Sequence, residues 1–242
     1  MAPKSPTASI PASPGKFPTT TFILIRHGEK LTWPEGAPPG PQAKKLYEDN
    51  ALLSAKGHER AFALVGYMLH RAEMTRWLRR RPLAAIVAQH PDDRPGGKGK
   101  SCRPYQTVAP LLAVLPSTTP CDGLTSRDAT MMGVVQAVAP AGVASVSFYK
   151  NDLQEMISTL HAQADAYAGK TVLLCGAHQY LPVLARALGA DPASVPSTWP
   201  GSRYDVTWVV DADLPGRFAQ YPQRLLFSDG MTTIPLDAPH SS

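Results

Sequence analysis

Short apolar runs alternate with longer amphipathic stretches along most of this chain. Five runs of five to seven residues are centrally apolar, at positions 20–26, 83–88, 170–175, 205–210 and 223–227. Short runs of this kind are typical of strands that are buried on both faces of a sheet. We therefore expect five strands at these positions.

The stretches between the runs have the apolar spacing of helices. After Ser54, a reasonable helix N-cap, apolar residues recur at three- and four-residue intervals, and the pattern continues until Pro82. Further helices are predicted at about 103–115, 150–168 and 179–188. Alternating strands and helices indicate an α/β domain with a mostly parallel central sheet.

The remaining segments set the domain organisation. Residues 1–20 are rich in Pro, Ser, Thr and Ala, which predicts a disordered N-terminal tail. Residues 21–235 are expected to form a single catalytic domain. Segments 31–50, 89–101 and 121–147 are interpreted as loop insertions in that domain.

Charge and cysteine content exclude several classes of protein. The net charge is +5, but Lys and Arg are spread out without an aromatic-interleaved basic stripe, so no nucleic-acid partner is expected. Three widely spaced cysteines favour neither a disulfide framework nor a zinc knuckle. No apolar run reaches the roughly 18 residues of a membrane span, and no signal-peptide pattern is present. We expect a cytoplasmic protein without a membrane partner.

Two of the predicted strands end in a histidine. His27 follows the first strand and His178 follows the strand at 170–175. Ligands bind at the carboxyl ends of strands in open α/β sheets. Neutral imidazole is a competent nucleophile, and arginine binds phosphate oxygens in a bidentate manner. Arg26 and Arg103 are the candidate arginines for such a ligand.

These positions lie in four motifs that resemble the histidine phosphatase superfamily, which includes the cofactor-dependent phosphoglycerate mutases. The resembling segments, in the expected order, are Ile-Leu-Ile-Arg-His-Gly-Glu at 23–29, Leu-Ser-Ala-Lys-Gly-His-Glu-Arg-Ala at 53–61, Ser-Cys-Arg-Pro-Tyr-Gln-Thr at 101–107 and Leu-Leu-Cys-Gly-Ala-His at 173–178. The resemblance implies a three-layer α/β/α sandwich and covers about residues 21–190.

The resemblance also implies the roles of individual residues. His27 would be the nucleophile, and Arg26, Arg103 and His178 would hold the phosphoryl group. Gly28 and Glu29 are expected to contact the substrate. Independently of the resemblance, the loop 89–101 would supply Lys100 to an anionic substrate. No metal or other cofactor is implied, because these arginines and histidines already supply positive charge.

One part of the family pattern is not obvious in this sequence. The family needs a carboxylic acid that protonates the leaving oxygen, and the residue after His178 is Gln179, which does not titrate. Asp122 and Asp128 are the candidate acids. Asp92 and Asp93, in the segment 89–101, are further options.

The function that follows is a phosphomonoesterase with a phosphohistidine intermediate on His27. Its partner would be a small phosphorylated metabolite or a phosphoprotein. One alternative is a phosphoryl-binding protein, or an enzyme of different chemistry, on the same fold. A phosphoglycerate-type mutase is less favoured, because Gly28 is followed by Glu29, Lys30 and Leu31 without the Ser and Asn of true mutases.

Overall fold

A six-stranded mixed sheet forms the centre of the molecule. The computed structural model describes residues 17–30, 40, 51–97, 99, 101–116, 135–149 and 152–236. The strands are β1 (Thr21–Arg26), β2 (Leu83–His90), β3 (Ala144–Tyr149), β4 (Thr171–Gly176), β5 (Val206–Val210) and β6 (Phe218–Pro222), in the spatial order β3-β2-β4-β1-β5-β6. The pairings β3–β2, β2–β4 and β4–β1 are parallel, whereas β1–β5 and β5–β6 are antiparallel.

Helices connect the parallel strands. They are α1 (Ala55–His70), α2 (Ala72–Arg80), α3 (Arg103–Val114), α4 (Leu153–Ala162) and α5 (Leu181–Ala187). Short 3-10 turns occupy Pro192–Ser194 and Pro215–Arg217. None of the helices in the described ranges is long and apolar enough to cross a lipid bilayer.

The sheet carries a hydrophobic core on each face. Alternate residues of β1 point to opposite sides, so Phe22 and Leu24 join one cluster and Ile23 and Ile25 join the other. The first cluster includes apolar residues of α4 and α5, and the second includes those of α1, α2 and α3. Helices therefore cover both faces, which explains why the strand sequences are continuously apolar.

Most predicted elements are present, but the middle of the chain differs from the prediction at three places. The single helix expected between Ser54 and Pro82 is interrupted at Arg71, whose backbone is extended (ψ 130°). Residues 144–149, of which 144–147 lie in the predicted insertion 121–147, form β3 at the edge of the sheet. The helix expected over 150–168 is confined to α4.

The strand predicted at 223–227 is wrong. The sixth strand is β6, five residues earlier, and it pairs with β5. The backbone N–H groups of Leu225 and Leu226 donate instead to the Asp229 carboxylate, at 2.8 and 3.1 Å. An apolar run alone does not distinguish a strand from a loop that a side chain holds in this way.

Residues 17–20 are packed against the domain, although the tail was expected to extend to residue 20. The Phe17 ring is 3% exposed and meets the ring of Phe22 edge to face, with 4.8 Å between ring centroids. The carbonyl oxygen of Phe17 accepts a hydrogen bond from Arg217 at 2.8 Å, and the Thr20 hydroxyl donates to the carbonyl of Tyr167 at 2.9 Å.

A buried arginine joins the loop after β1 to the C-terminal segment. Arg60 of α1 is 1% exposed, and its Nη2 donates to Glu29 Oε1 and to Asp229 Oδ1, both at 2.6 Å. Burial acts to lower the pKa of Arg60, but the hydrogen bonds with the two carboxylates outweigh it and raise that pKa. Arg60 also donates to Gln223 Oε1 at 3.2 Å. This network connects three segments that are far apart in the sequence.

Replacing Arg60 with Met should destabilise the protein strongly. The substitution leaves the Asp229 and Glu29 carboxylates without their cation, and breaking a buried ion pair in this way costs about 3–5 kcal/mol. The pKa of Asp229 is lowered in the folded protein by hydrogen bonds from Arg60, Leu225 and Leu226, which outweigh the opposing effect of burial. A carboxylate with a lowered pKa stabilises the fold above its unfolded pKa, and this contribution is lost as the pH falls through the folded value.

Urea unfolding at pH 7 and at pH 4 measures both effects. The Arg60→Met protein should have the lower free energy of unfolding at pH 7, and the deficit relative to wild type should shrink towards acid pH. Equal stability of the two proteins at pH 7 would contradict a structural role for this network.

Candidate active site

Parallel pairing of β1 with β4 brings the two strand-end histidines to the same edge of the sheet. Arg26 is the register partner of Gly176, and the N–H of His27 donates to the Gly176 carbonyl at 3.2 Å. His178 follows two residues later, close enough that its charge acts on the pKa of His27. The structure therefore places His27, His178 and Arg26 together, as the sequence predicted.

His27 is held in one tautomer by the next residue of the chain. Its Nδ1 lies 2.7 Å from the carbonyl oxygen of Gly28. A carbonyl oxygen can only accept, so we assign the proton to Nδ1, which leaves the lone pair on Nε2. The hydrogen bond to Gly28 also favours positive charge on the ring. This is the arrangement that a nucleophilic histidine needs while a bond forms at Nε2.

Burial keeps the His27 ring uncharged. His27 is only 4% exposed, and this burial lowers its pKa to about 3. The hydrogen bond to Gly28 opposes this effect, whereas the positive charges of Arg103 and Arg26 add to it. A neutral imidazole at pH 7 is the nucleophilic form.

The first turn of α3 brings Arg103 to His27. The backbone N–H of Gly28 donates to Thr107 Oγ1 at 2.8 Å, and the same hydroxyl donates to the Arg103 carbonyl at 2.8 Å. Thr107 therefore fixes the loop that carries His27 against the helix that carries Arg103. The charge of Arg103 acts on the pKa of both His27 and Arg26, which confirms that the three side chains are neighbours.

Arg26 is held by backbone carbonyls of one loop. Its Nη1 donates to the carbonyl oxygens of Pro200, Gly201 and Arg203, at 3.4, 2.8 and 2.7 Å. The guanidinium carbon lies 3.6 Å from the centroid of the Tyr204 ring, within the range of a cation–π contact. These contacts occupy Nη1 and one face of the guanidinium group.

The same loop orients His178. Its Nδ1 lies 2.9 Å from the carbonyl oxygen of Trp199, so Nδ1 carries the proton and Nε2 is the free nitrogen. Burial lowers the pKa of His178, and the charges of Arg26 and Lys30 act in the same direction. One segment, residues 199–204, thus positions two of the four predicted phosphoryl-binding side chains.

The two site arginines differ from the other buried arginines in their partners. Arg26, Arg60 and Arg81 are the buried arginines of the described residues. Arg60 pairs with Glu29 and Asp229, and Arg81 pairs with Asp211 and Asp213. Arg26 forms no ion pair with any carboxylate in the described ranges, and its buried Nε has no hydrogen-bond partner.

Arg103 also lacks a carboxylate partner within the described part of the chain. Its buried Nε has no hydrogen-bond partner, and no described carboxylate forms an ion pair with it. Burial lowers the pKa of Arg103, as it lowers the pKa of Arg26 to about 10. Desolvation disfavours these two cations, which have no carboxylate partner among the described residues, and an anion bound between them would offset this effect.

The structure does not bring Asp92 to this site as an acid. Its carboxylate accepts two hydrogen bonds from Arg94, at 2.7 and 2.8 Å, which lower the pKa of Asp92 and keep it ionised. Asp93 lies 3.5 Å from the hydroxyl of Tyr149, on the edge strand β3. Asp122, Asp128 and Lys100 lie outside the described residues.

Gly28 and Glu29, two of the expected substrate contacts, lie against α1. A Cβ atom on Gly28 would lie 2.8 Å from the Gly57 carbonyl oxygen, so the loop after β1 can approach α1 this closely only with glycine at position 28. Glu29 forms an ion pair with Arg60. It also lines a polar cleft of about 390 Å³ together with Lys56, Arg203 and Tyr204. The cleft begins at Tyr204, beside Arg26.

Sequence reasoning did not identify Thr107, Tyr204 or the loop at 199–204 as functional. Thr107 is part of a motif that was recognised for Arg103, so its hydroxyl could have been nominated. Tyr204 has no such signal, because its place depends on the loop that leads into β5. No three His, Cys, Asp or Glu side chains of the described residues come together in a way that could hold a metal ion.

Comparison with known proteins adds little to this picture. No protein-family model matches the chain, and no curated protein sequence matches it. Among solved structures, a protein from Agrobacterium tumefaciens that carries the proposed assignment of phosphohistidine phosphatase SixA matches 85% of this chain and 97% of its own length. The identity is 18% and the TM-score is 0.45, and at this level the likeness does not bear on what the chain does.

The lowered pKa of His27 should make the fold acid-sensitive. Below the unfolded pKa of about 6.5, the unfolded chain binds a proton at this position and the folded protein does not until about pH 3. Stability that depends on neutral His27 is therefore lost as the pH falls from about 6.5. Each such proton contributes a slope of roughly 1.4 kcal/mol per pH unit.

Replacing His27 with Asn should remove most of that slope between pH 4 and pH 6. Urea unfolding at several pH values measures it, with His58→Asn as the control because His58 is exposed on α1. An unchanged slope in the His27→Asn protein would contradict a buried, neutral His27.

Proposed function

We propose that this chain is a phosphomonoesterase that transfers a phosphoryl group to Nε2 of His27. The observation that carries the proposal is the pair of desolvated arginines, Arg26 and Arg103, beside a neutral histidine with a free Nε2. A phosphoryl group has a charge of about −1.5 to −2 at pH 7 and oxygen acceptors that match two guanidinium groups. Both the charge and the hydrogen-bonding capacity of the site are thus complementary to it.

The reaction proceeds in two steps. Nε2 of His27 attacks phosphorus, the Nε2–P bond forms and the bond between phosphorus and the leaving oxygen breaks, while the leaving oxygen takes a proton. Water then attacks the phosphohistidine and gives a proton back to the carboxylate that protonated the leaving oxygen, while the P–Nε2 bond breaks and inorganic phosphate is released. Arg26 and Arg103 stabilise the charge on the non-bridging oxygens in both steps, and His178 donates to one of these oxygens once its Nε2 has taken up a proton beside the bound phosphoryl group. Asp122 and Asp128 are the proposed proton donors.

Fold and cleft are consistent with this function. A three-layer α/β/α sandwich with a mostly parallel sheet is part of the proposal, supported by helices on both sheet faces and by four adjacent parallel strands. The polar cleft beside Tyr204 has space for the remainder of a small phosphorylated metabolite or for a phosphorylated side chain of a protein.

A phosphoryl-binding protein without turnover is the second candidate. One observation favours it: of the candidate acids in the described residues, Asp92 is paired with Arg94 and Asp93 contacts Tyr149. Binding needs only the arginines and histidines, whereas turnover of an alkyl phosphate also needs a proton for the leaving oxygen. The two candidates therefore share the site and differ in whether turnover follows binding.

Replacing His27 with Ala should abolish hydrolysis of an aryl phosphate. We expect a fall of at least about 10³-fold in kcat, because the nucleophile is removed. A rapid alkaline quench of the wild-type reaction, followed by ³¹P NMR, should detect phosphohistidine that is absent from the variant. Phosphohistidine that forms and never turns over would favour the binding protein, and equal hydrolysis by the two proteins would overturn the phosphomonoesterase.

Replacing Arg103 with Met should separate binding from stability. The variant should lose the thermal stabilisation that phosphate or vanadate gives the wild-type protein, which is about 2.7 kcal/mol at one hundred times Kd. Its stability without ligand should equal or exceed that of wild type, because the substitution removes an uncompensated cation. Arg60→Met is the matched comparison, since it removes an arginine whose charge is neutralised by two carboxylates. A ligand-free Arg103→Met protein as unstable as Arg60→Met would show that Arg103 has a structural partner.

A further inference from the structure

The aromatic ring of Tyr204 packs against one face of the Arg26 guanidinium group. The Tyr204 ring lies 3.6 Å from the Arg26 guanidinium carbon and its centroid is 6.1 Å from that of the His27 ring. It is the last residue of the loop whose carbonyls take the Nη1 hydrogen bonds of Arg26. Tyr204 also acts on the pKa of both Arg26 and Arg103, and in each case it opposes the lowering by burial.

The contacts of Arg26 leave its Nε available to bind an anion. Nη1 is saturated by three carbonyl oxygens, and one face of the guanidinium plane is covered by the Tyr204 ring. Nε has no hydrogen-bond partner among the described residues. A guanidinium group binds phosphate oxygens through two parallel N–H groups, so the orientation of its plane decides whether both can be used.

We propose that Tyr204 is a positioning residue of the phosphoryl-binding site, where its ring fixes the plane of the Arg26 guanidinium group. Together with the loop carbonyls, the ring holds Arg26 in one orientation while no anion is bound. This pre-organisation lowers the entropy that is lost when an anion binds. The inference rests on the proposed function and goes beyond it, because it assigns a role to a residue outside the four motifs of the resemblance.

Two other roles for Tyr204, contact with the remainder of the substrate and proton donation, fit its position less well. The ring also lines the polar cleft next to Glu29 and Arg203, so Tyr204 could contact the remainder of the substrate instead. A residue with that role alone would affect the binding of an organic phosphate and not the binding of free phosphate. A proton-donor role would require the hydroxyl group and not the ring. The two alternatives therefore predict different results from the same variants.

The test compares Tyr204→Leu, Tyr204→Phe and Phe62→Leu in the full chain. Phe62 is an exposed aromatic residue of α1 that does not line the cleft, and it serves as the control for loss of an aromatic ring. Kd is measured for inorganic phosphate and for vanadate by calorimetry, and kcat and KM are measured for an aryl phosphate. Circular dichroism and Tm confirm that each variant is folded.

Loss of the ring should weaken the binding of free phosphate. We expect Tyr204→Leu to raise Kd by about 3- to 30-fold, the range that corresponds to a cation–π contact at a partly desolvated site. Tyr204→Phe should restore Kd to within about threefold of wild type, since the ring is retained. A normal phosphate Kd in Tyr204→Leu, with a raised KM for the aryl phosphate, would overturn the proposal in favour of cleft binding. Equal losses in Tyr204→Phe and Tyr204→Leu would overturn it in favour of the hydroxyl group.

A double-mutant cycle with Arg26→Lys tests whether Tyr204 acts through Arg26. Lysine keeps the positive charge but has no plane for the ring to orient. In that background Tyr204→Leu should change Kd by less than about twofold, because contacting residues are not additive. A full effect of Tyr204→Leu there would overturn the proposal. Wild-type protein that binds neither anion would instead overturn the proposed function and this inference with it.

Discussion

The parallel pairing of β1 with β4 is the constraint on which the candidate site depends. It places Arg26 opposite Gly176, so the chain leaves both strands at the same edge and His27 and His178 follow within two residues. The strands keep this register because alternate residues of β1 are buried in separate clusters on the two faces. A slip of one residue would exchange those faces and separate the two histidines. The hydrophobic core thus determines the geometry of a polar site.

Uncompensated charge distinguishes this site from the rest of the interior. Elsewhere, buried arginines are neutralised: Arg60 by Glu29 and Asp229, and Arg81 by Asp211 and Asp213. At the edge of the sheet, Arg26 and Arg103 have lowered pKa values instead, because burial is not offset by a carboxylate in the described residues. Under the proposed function, a phosphoryl group bound between these two arginines would supply the missing negative charge. Stability and binding would then be opposed at Arg103 and independent of each other at Arg60.

The parts of the site that could be predicted are those that local sequence controls. Arg26 and His27 end a strand, Arg103 begins a helix and His178 follows a strand, so periodicity together with a motif was sufficient to place them. The strand expected at 223–227 was wrong because Leu225 and Leu226 donate to Asp229, a contact that depends on Arg60 more than 160 residues away. Tyr204 could not be found for a similar reason. Its contact with Arg26 spans 178 positions and arises from the antiparallel addition of β5 to β1.

The protonation states of His27 and His178 determine the charge of the candidate site. Both histidines direct Nδ1–H to a backbone carbonyl, His27 to Gly28 and His178 to Trp199, so Nε2 is the free nitrogen of both. With both rings neutral, Arg26 and Arg103 supply two positive charges, which match the phosphoryl dianion of the proposed reaction. Protonation of His27 would add a third charge and would remove the lone pair that the proposed attack on phosphorus requires. The burial that lowers the pKa of His27 therefore destabilises the fold at acid pH, and it keeps Nε2 unprotonated for the proposed reaction.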